Sequence, residues 1–235
     1  MNKYFAEFLG TFALVFAGTG AIVIDSVTGG AVSHAGVAIT FGLVVMAMIY
    51  AVGDVSGAHF NPAVTFGFFV AGRFEKSRVI PYIASQLCGA IFASALVRLL
   101  FGNVAALGAT IPAGSAAQSF LLEVILTGIL MFVILCVATG SREQGLMAGI
   151  AIGGTVGLEA MFAGPICGAS MNPARSLAPA MVSGHLASVW IYLAAPLLGA
   201  MIAVPCWIVT RKRDVAAIDL DSPTLANSAK NSAAM

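Results

Sequence analysis

Charge is what this chain has least of. Only 9% of its residues are Asp, Glu, Lys or Arg and 60% are hydrophobic, whereas soluble domains carry about 25% charged residues. A water-solvated globular domain is excluded, and an integral membrane protein is indicated. The net charge of +1 offers no basic surface for nucleic acid. Cysteine is scarce too. Cys88, Cys136, Cys167 and Cys206 lie in separate apolar segments without CxxC spacing and read as small core residues, with no disulfide framework, metal or cofactor implied. No nucleophile–base–orienter set is present, so no enzyme is expected. Lys and Arg are missing altogether from stretches 25–32, 102–116 and 184–186.

What is abundant is apolar length. Six stretches, near 4–24, 33–53, 79–101, 117–138, 145–163 and 187–209, reach the ~20 residues that span a bilayer core. The first resembles a signal peptide in having Lys3 before an apolar run. Glu7 lies inside that run and has a counterpart far downstream, so the segment is read as a retained span. Positive charge gathers on one side. Lys3 precedes the first span, Arg73, Lys76 and Arg78 precede the third, Arg142 follows the fourth, and Arg211-Lys212-Arg213 follows the sixth. The positive-inside rule then predicts a multi-pass cell-membrane protein with both termini cytoplasmic. Arg98, near the far end of the third span, is expected to snorkel.

The chain repeats itself. Glu7-x-x-x-Thr11 recurs as Glu123-x-x-x-Thr127, offset 116, and Ala35-Gly36-Val37-Ala38-Ile39 recurs as Ala148-Gly149-Ile150-Ala151-Ile152, offset 113. Asn61-Pro62-Ala63 recurs as Asn172-Pro173-Ala174, offset 111, and Tyr82-Ile83-Ala84 as Tyr192-Leu193-Ala194, offset 110. Three spans per copy is an odd number, so the second copy inserts upside down. The expected organisation is a first repeat at 1–103, a linker at 104–116, a second repeat at 117–210 and a disordered polar tail at 211–235. Gly89, Ala90, Gly199 and Ala200 are placed as close helix contacts.

Each Asn-Pro-Ala begins an apolar run too short to cross. Asn is a favoured N-cap and Pro is tolerated at the first helical position. About 11 residues at 1.5 Å each reach the midplane and no further. The fold class is therefore an all-α membrane protein: six transmembrane helices plus two re-entrant half-helices in an inverted repeat. Two opposed helix N-termini put positive potential at the midplane, and the Asn61 and Asn172 amides can donate to a single water there. Such a water relays a proton poorly, and cations are repelled. Glu7 and Glu123, each inside a span at matching places, read as acceptors for the backbone N–H groups of the re-entrant loops. Asp54 and Glu159 are expected near span ends, in contact with solvent, and Cys167 near the mouth as a mercurial target. Arg175 follows the second Asn-Pro-Ala where Val64 follows the first, a permanent charge that breaks the symmetry. It is expected to line the pore, excluding cations and donating to a neutral permeant.

Gly57-Ala58-His59-Phe60-Asn61-Pro62-Ala63-Val64-Thr65 and Gly168-Ala169-Ser170-Met171-Asn172-Pro173-Ala174-Arg175-Ser176 resemble the signature loops of the aquaporin (major intrinsic protein) family, with similarity over residues 4 to 210. The resemblance implies one pore per subunit, a homotetramer, and passive flow of water or small uncharged solutes. It also implies a filter of Phe41, Ala160, Ala169 and Arg175, with His59 narrowing the cytoplasmic side. Strict water channels resemble a Phe-His-small-Arg set. Ala160 stands in place of that His, which widens the filter and leaves an apolar wall suited to glycerol, urea or undissociated metalloid acids. Phe162-Ala163-Gly164-Pro165 through Pro179 is similar to the nodulin-like intrinsic proteins. Ser176, in contrast, is a water-channel feature where glycerol facilitators carry Asp, and Asp54 replaces a His found in many relatives. The alternatives are a strictly water-selective channel and, since inverted repeats also mark them, a secondary transporter.

Overall fold

The computed structural model describes residues 2–141 and 145–220 and, among these, contains helices and no strand. In chain order they are α1 (Asn2–Val27), α2 (Ser33–Ser56), α3 (Pro62–Val70), α4 (Lys76–Phe101), a 3-10 turn at Ala105–Gly108, α5 (Ala116–Ala138), α6 (Ala148–Cys167), α7 (Pro173–Ser183) and α8 (Val189–Leu220). Six are long and apolar enough to cross a bilayer. The other two, α3 with 9 residues and α7 with 11, are half-helices. Helix α8 continues to Leu220, past residue 211 where the sequence predicts a disordered tail. No Gly or Pro interrupts residues 206–220, so nothing stops the helix sooner. Residues 221–235 of that tail, and Arg142 among the loop charges, lie outside the described residues.

The chain turns inward at two glycines. Helices α2 and α6 end at Gly57 and Gly168, with φ +84° and +87°, a left-handed geometry that glycine adopts without steric cost. The loops that follow are copies of one another. Ala58 and Phe60 have φ of +52° each, and Ala169 and Met171 have +39° and +53°. Left-handed backbone costs roughly 1–2 kcal/mol at a residue with a Cβ, so each loop needs outside support. Both loops end in an Asn with extended φ, −156° at Asn61 and −146° at Asn172, followed by Pro at the first helical position.

Small residues set the helix spacing. A Cβ on Gly89 would lie 2.3 Å from the Phe8 carbonyl oxygen, and one on Gly199 would lie 2.4 Å from that of Val124. These are the equivalent α1–α4 and α5–α8 contacts of the two repeats. Between the repeats, a Cβ on Gly42 would lie 2.7 Å from the Gly153 oxygen and one on Gly153 2.6 Å from the Gly42 oxygen, so α2 and α6 touch backbone to backbone. The half-helices cross over: α3 packs on α8, and α7 on α4. Each is thus held by a span of the other repeat. Leu126, Leu130 and Met131 of α5 bury against Ala160 and Ala163 of α6. Ile39, Leu99, Leu121 and Leu158 face outward, as lipid-facing side chains do.

Candidate permeation site

The half-helices meet at their N-termini, and the two asparagines do more than cap. Asn61 Oδ1 accepts from the Ala63 N–H at 2.8 Å, and Asn172 Oδ1 from those of Ala174 at 3.0 Å and Arg175 at 3.3 Å. Each amide nitrogen then crosses to the other loop. Asn61 Nδ2 donates to the Met171 carbonyl at 2.7 Å and Asn172 Nδ2 to that of Phe60 at 2.9 Å. An amide carries two N–H groups, so one per asparagine remains. Both residues line a cavity of about 490 Å³.

The strained loops are held by buried carboxylates. Glu7 Oε1 accepts from the His59 N–H at 2.9 Å and Oε2 from that of Phe60 at 2.8 Å. Glu123 Oε1 accepts from Ser170 N–H at 2.7 Å and Oε2 from Met171 N–H at 2.8 Å. Successive N–H groups converging on one anion form a nest, which here offsets the loop strain. The tyrosines of the repeat add matching bonds, Tyr82 Oη to the Ser56 carbonyl at 2.9 Å and Tyr192 Oη to that of Cys167 at 2.6 Å.

Phe41, His59, Ala160, Ala169 and Arg175 line the same cavity as the asparagines. Arg175 is only 2% exposed. Its Nη1 donates to the Gly108 carbonyl at 2.7 Å, and its Cζ lies 4.9 Å from the Phe41 ring centroid. A buried cation without such anchors is costly. The guanidinium carries five N–H donors, and one is taken by Gly108. His59 packs on Phe68, ring centroids 4.7 Å apart. Its Nδ1 and the Asn61 carbonyl oxygen each lie 3.1 Å from Thr65 Oγ1.

The major intrinsic protein family matches residues 1–207. The chain belongs to that family. Its relatives include aquaporin NIP1-4 of Oryza sativa subsp. japonica, 53% identical over 201 residues, covering 85% of this chain and 73% of that protein. Aquaporin NIP1-1 of Zea mays is 48% identical over 202 residues, covering 86% and 72% respectively. The X-ray structure of the aquaglyceroporin from Plasmodium falciparum matches with a TM-score of 0.76 at 28% identity, covering 87% of this chain and 93% of that one. This major intrinsic protein is a membrane channel for water and small neutral solutes, not an enzyme.

Four expectations need correction. Glu159 is not solvated at a span end; it is 1% exposed, and neither carboxylate oxygen has a hydrogen-bond partner among the described residues. Helix α6 continues to Cys167, four residues beyond the predicted span, which leaves Glu159 well inside it. Cys167 is fully buried and does not line the cavity, so it is no mercurial target at the mouth. Of the other cysteines, Cys88 and Cys206 are exposed on the outside of the bundle instead of in a core. Asp54 is exposed and lines the cavity. Arg98 does not simply snorkel: it donates to the Val182 carbonyl near the end of α7.

Sequence reading missed several supports. Gln86 Nε2 donates to Glu7 at 2.8 Å and to Thr65 at 2.9 Å, and Ser56 Oγ donates to Glu7 at 2.7 Å. A glutamine in an apolar span was a usable signal. The Gly108 carbonyl carried none, since the linker that delivers it has no distinctive pattern.

Proposed function

We propose that this channel passes glycerol-sized neutral solutes as well as water, down their gradients, through one conduit in each subunit of a homotetramer. Ala160 carries this reading. Where the filter of a strict water channel has His, the cavity wall beside Phe41 and Arg175 has only a methyl group. The Phe41 ring and the Ala160 and Ala169 methyls face the carbon skeleton of the solute, while free Arg175 donors take its hydroxyl oxygens. At the centre, the remaining N–H groups of Asn61 and Asn172 donate to one permeant oxygen. The two helix N-termini behind them repel cations, and a water held as a double acceptor has no forward proton relay. His59 narrows the side that bears Arg73 and Lys76. By their charge this side is cytoplasmic, which places both termini inside the cell.

Stopped-flow light scattering on proteoliposomes tests the reading. Glycerol and water should both permeate, protonophore should leave the flux unchanged, and Ala160→His should cut glycerol flux far more than water flux. Equal loss of both, or no glycerol flux in the parent, would refute the wide filter and leave a strictly water-selective channel. Collapse with protonophore would point to a coupled transporter.

A further inference from the structure

A proline inside a helix removes the N–H that would bond the carbonyl four residues earlier. In α6 that proline is Pro165 and the carbonyl belongs to Met161, the neighbour of Ala160. A helix carbonyl deprived of its intrahelical donor loses a hydrogen bond unless another group supplies one. The donor here comes from another helix. His34, in the first turn of α2, places Nε2 2.6 Å from the Met161 oxygen. A carbonyl only accepts, so Nε2 carries the proton. The imidazole also lies against Gly164, where a Cβ would come within 2.9 Å of its Cε1. Met161, Gly164 and Pro165 together form one seat for the ring.

The other repeat has no such seat. Asp54, which has an N–H, stands where Pro165 does, and Met147 stands where His34 does. Helix α2 is nonetheless tied near its other end as well, to the residue two positions before α6. The far tie is Tyr50 Oη donating to the Leu146 carbonyl at 3.2 Å, and Gly42 and Gly153 touch between them. Phe41 and Ala160 sit between the His34 tie and that glycine contact, one on each helix.

We propose that His34 is a positioning residue for the filter: it supplies the hydrogen bond that Pro165 denies to Met161, and so holds the Ala160 wall of α6 at a set separation from Phe41 on α2. This rests on the filter assigned above. It also gives the Phe-Ala-Gly-Pro stretch a physical task, since glycine admits the imidazole and proline creates its acceptor.

The test is a double-mutant cycle on the full-length channel in proteoliposomes, with His34→Leu, Pro165→Ala, the pair, and His34→Gln. His34→Leu should change the glycerol-to-water permeability ratio by about threefold or more, the factor that corresponds to one hydrogen bond's net worth. His34→Gln, which keeps an N–H donor, should restore the ratio. With Pro165→Ala the residue 165 N–H returns, and His34→Leu should then have a clearly smaller effect. The bond itself has a separate readout. Labelling Met at the carbonyl carbon with ¹³C and Phe with ¹⁵N selects two Met-Phe pairs, at Met131 and Met161. His34→Leu should move the Met161 carbonyl resonance upfield and leave that of Met131 in place.

An unmoved Met161 resonance would overturn the proposal. So would a moved resonance with an unchanged ratio, or an effect undiminished by Pro165→Ala. If His34→Leu does not fold, rescue of folding by Pro165→Ala supports the proposal and absence of rescue overturns it. A parent that passes no glycerol defeats the solute reading instead. The Met161 resonance and the water permeability of His34→Leu then decide the role of His34, shifts in both supporting it and constancy of either overturning it.

Discussion

Glu7 and Glu123 stand at matching places in the two repeats, and each accepts two backbone N–H groups from its re-entrant loop. Beyond that shared pair they part. Glu7 also accepts from Ser56 and Gln86, whereas the repeat puts Cys167 and Pro196 in those places on the Glu123 side. Ser170 takes the place of His59 and binds Ser176 Oγ at 2.5 Å, while His59 binds Thr65. The second half lacks counterparts of the Ser56 and Gln86 bonds and holds the buried Arg175 cation and Glu159, whose carboxylate has no hydrogen-bond partner among the described residues. What survives in both copies is the minimum that a strained loop requires, two acceptors for two converging N–H groups. The side chains around that minimum differ between the two halves.

Four tests can break or sharpen this contrast. The largest effect is expected from Val64→Arg, which copies Arg175 into the first repeat. Val64 is 4% exposed, and a buried cation introduced there without a partner should cost about 3–5 kcal/mol or more. Folded yield in detergent and water permeability report it, and normal values for both would refute that cost. Next, Glu7→Ala should destabilise by about 3–5 kcal/mol and Glu123→Ala by about 2–3 kcal/mol, since four donors are orphaned in one case and two in the other. Denaturant titration decides, and the reverse order would mean that Gln86 and Ser56 are dispensable. Third, Asn61→Ala and Asn172→Ala should cost similar amounts, about 1–3 kcal/mol each, because each removes one cap and one bond to the opposite loop. A wide gap between their unfolding midpoints would deny that the two crossing bonds are equivalent. The smallest effect is Glu159→Leu. Replacing a buried carboxyl that has no partner with an apolar side chain should stabilise by about 1 kcal/mol, and a lower unfolding midpoint would reveal a partner for Glu159 in the assembled channel.

Much of the fold was legible in the residues. The six apolar runs, the two Asn-Pro-Ala caps and the odd number of spans per copy led to the observed helices, because hydrocarbon admits few backbone arrangements. Residues 41, 61, 160, 169, 172 and 175 do line one cavity. Gln86, Ser56 and Gly108 escaped notice because their importance lies in what they touch: Gly108 in the linker is 67 residues from Arg175. Glu159 was misread because a span boundary placed four residues short moved it from a helix interior to an end.

The sequence by itself determined which segments cross, where the half-helices begin, and that a positive charge follows only the second Asn-Pro-Ala. Local patterns suffice for these, since caps, proline and apolar length act within a few residues. Only the tertiary structure decided that each asparagine donates to the opposite loop, that α3 and α7 rest on spans of the other repeat, and that His34 serves a carbonyl 127 residues away. These are pairings between groups far apart in the chain. No periodicity records them; they exist only once packing has brought a donor to an acceptor that would otherwise be buried alone.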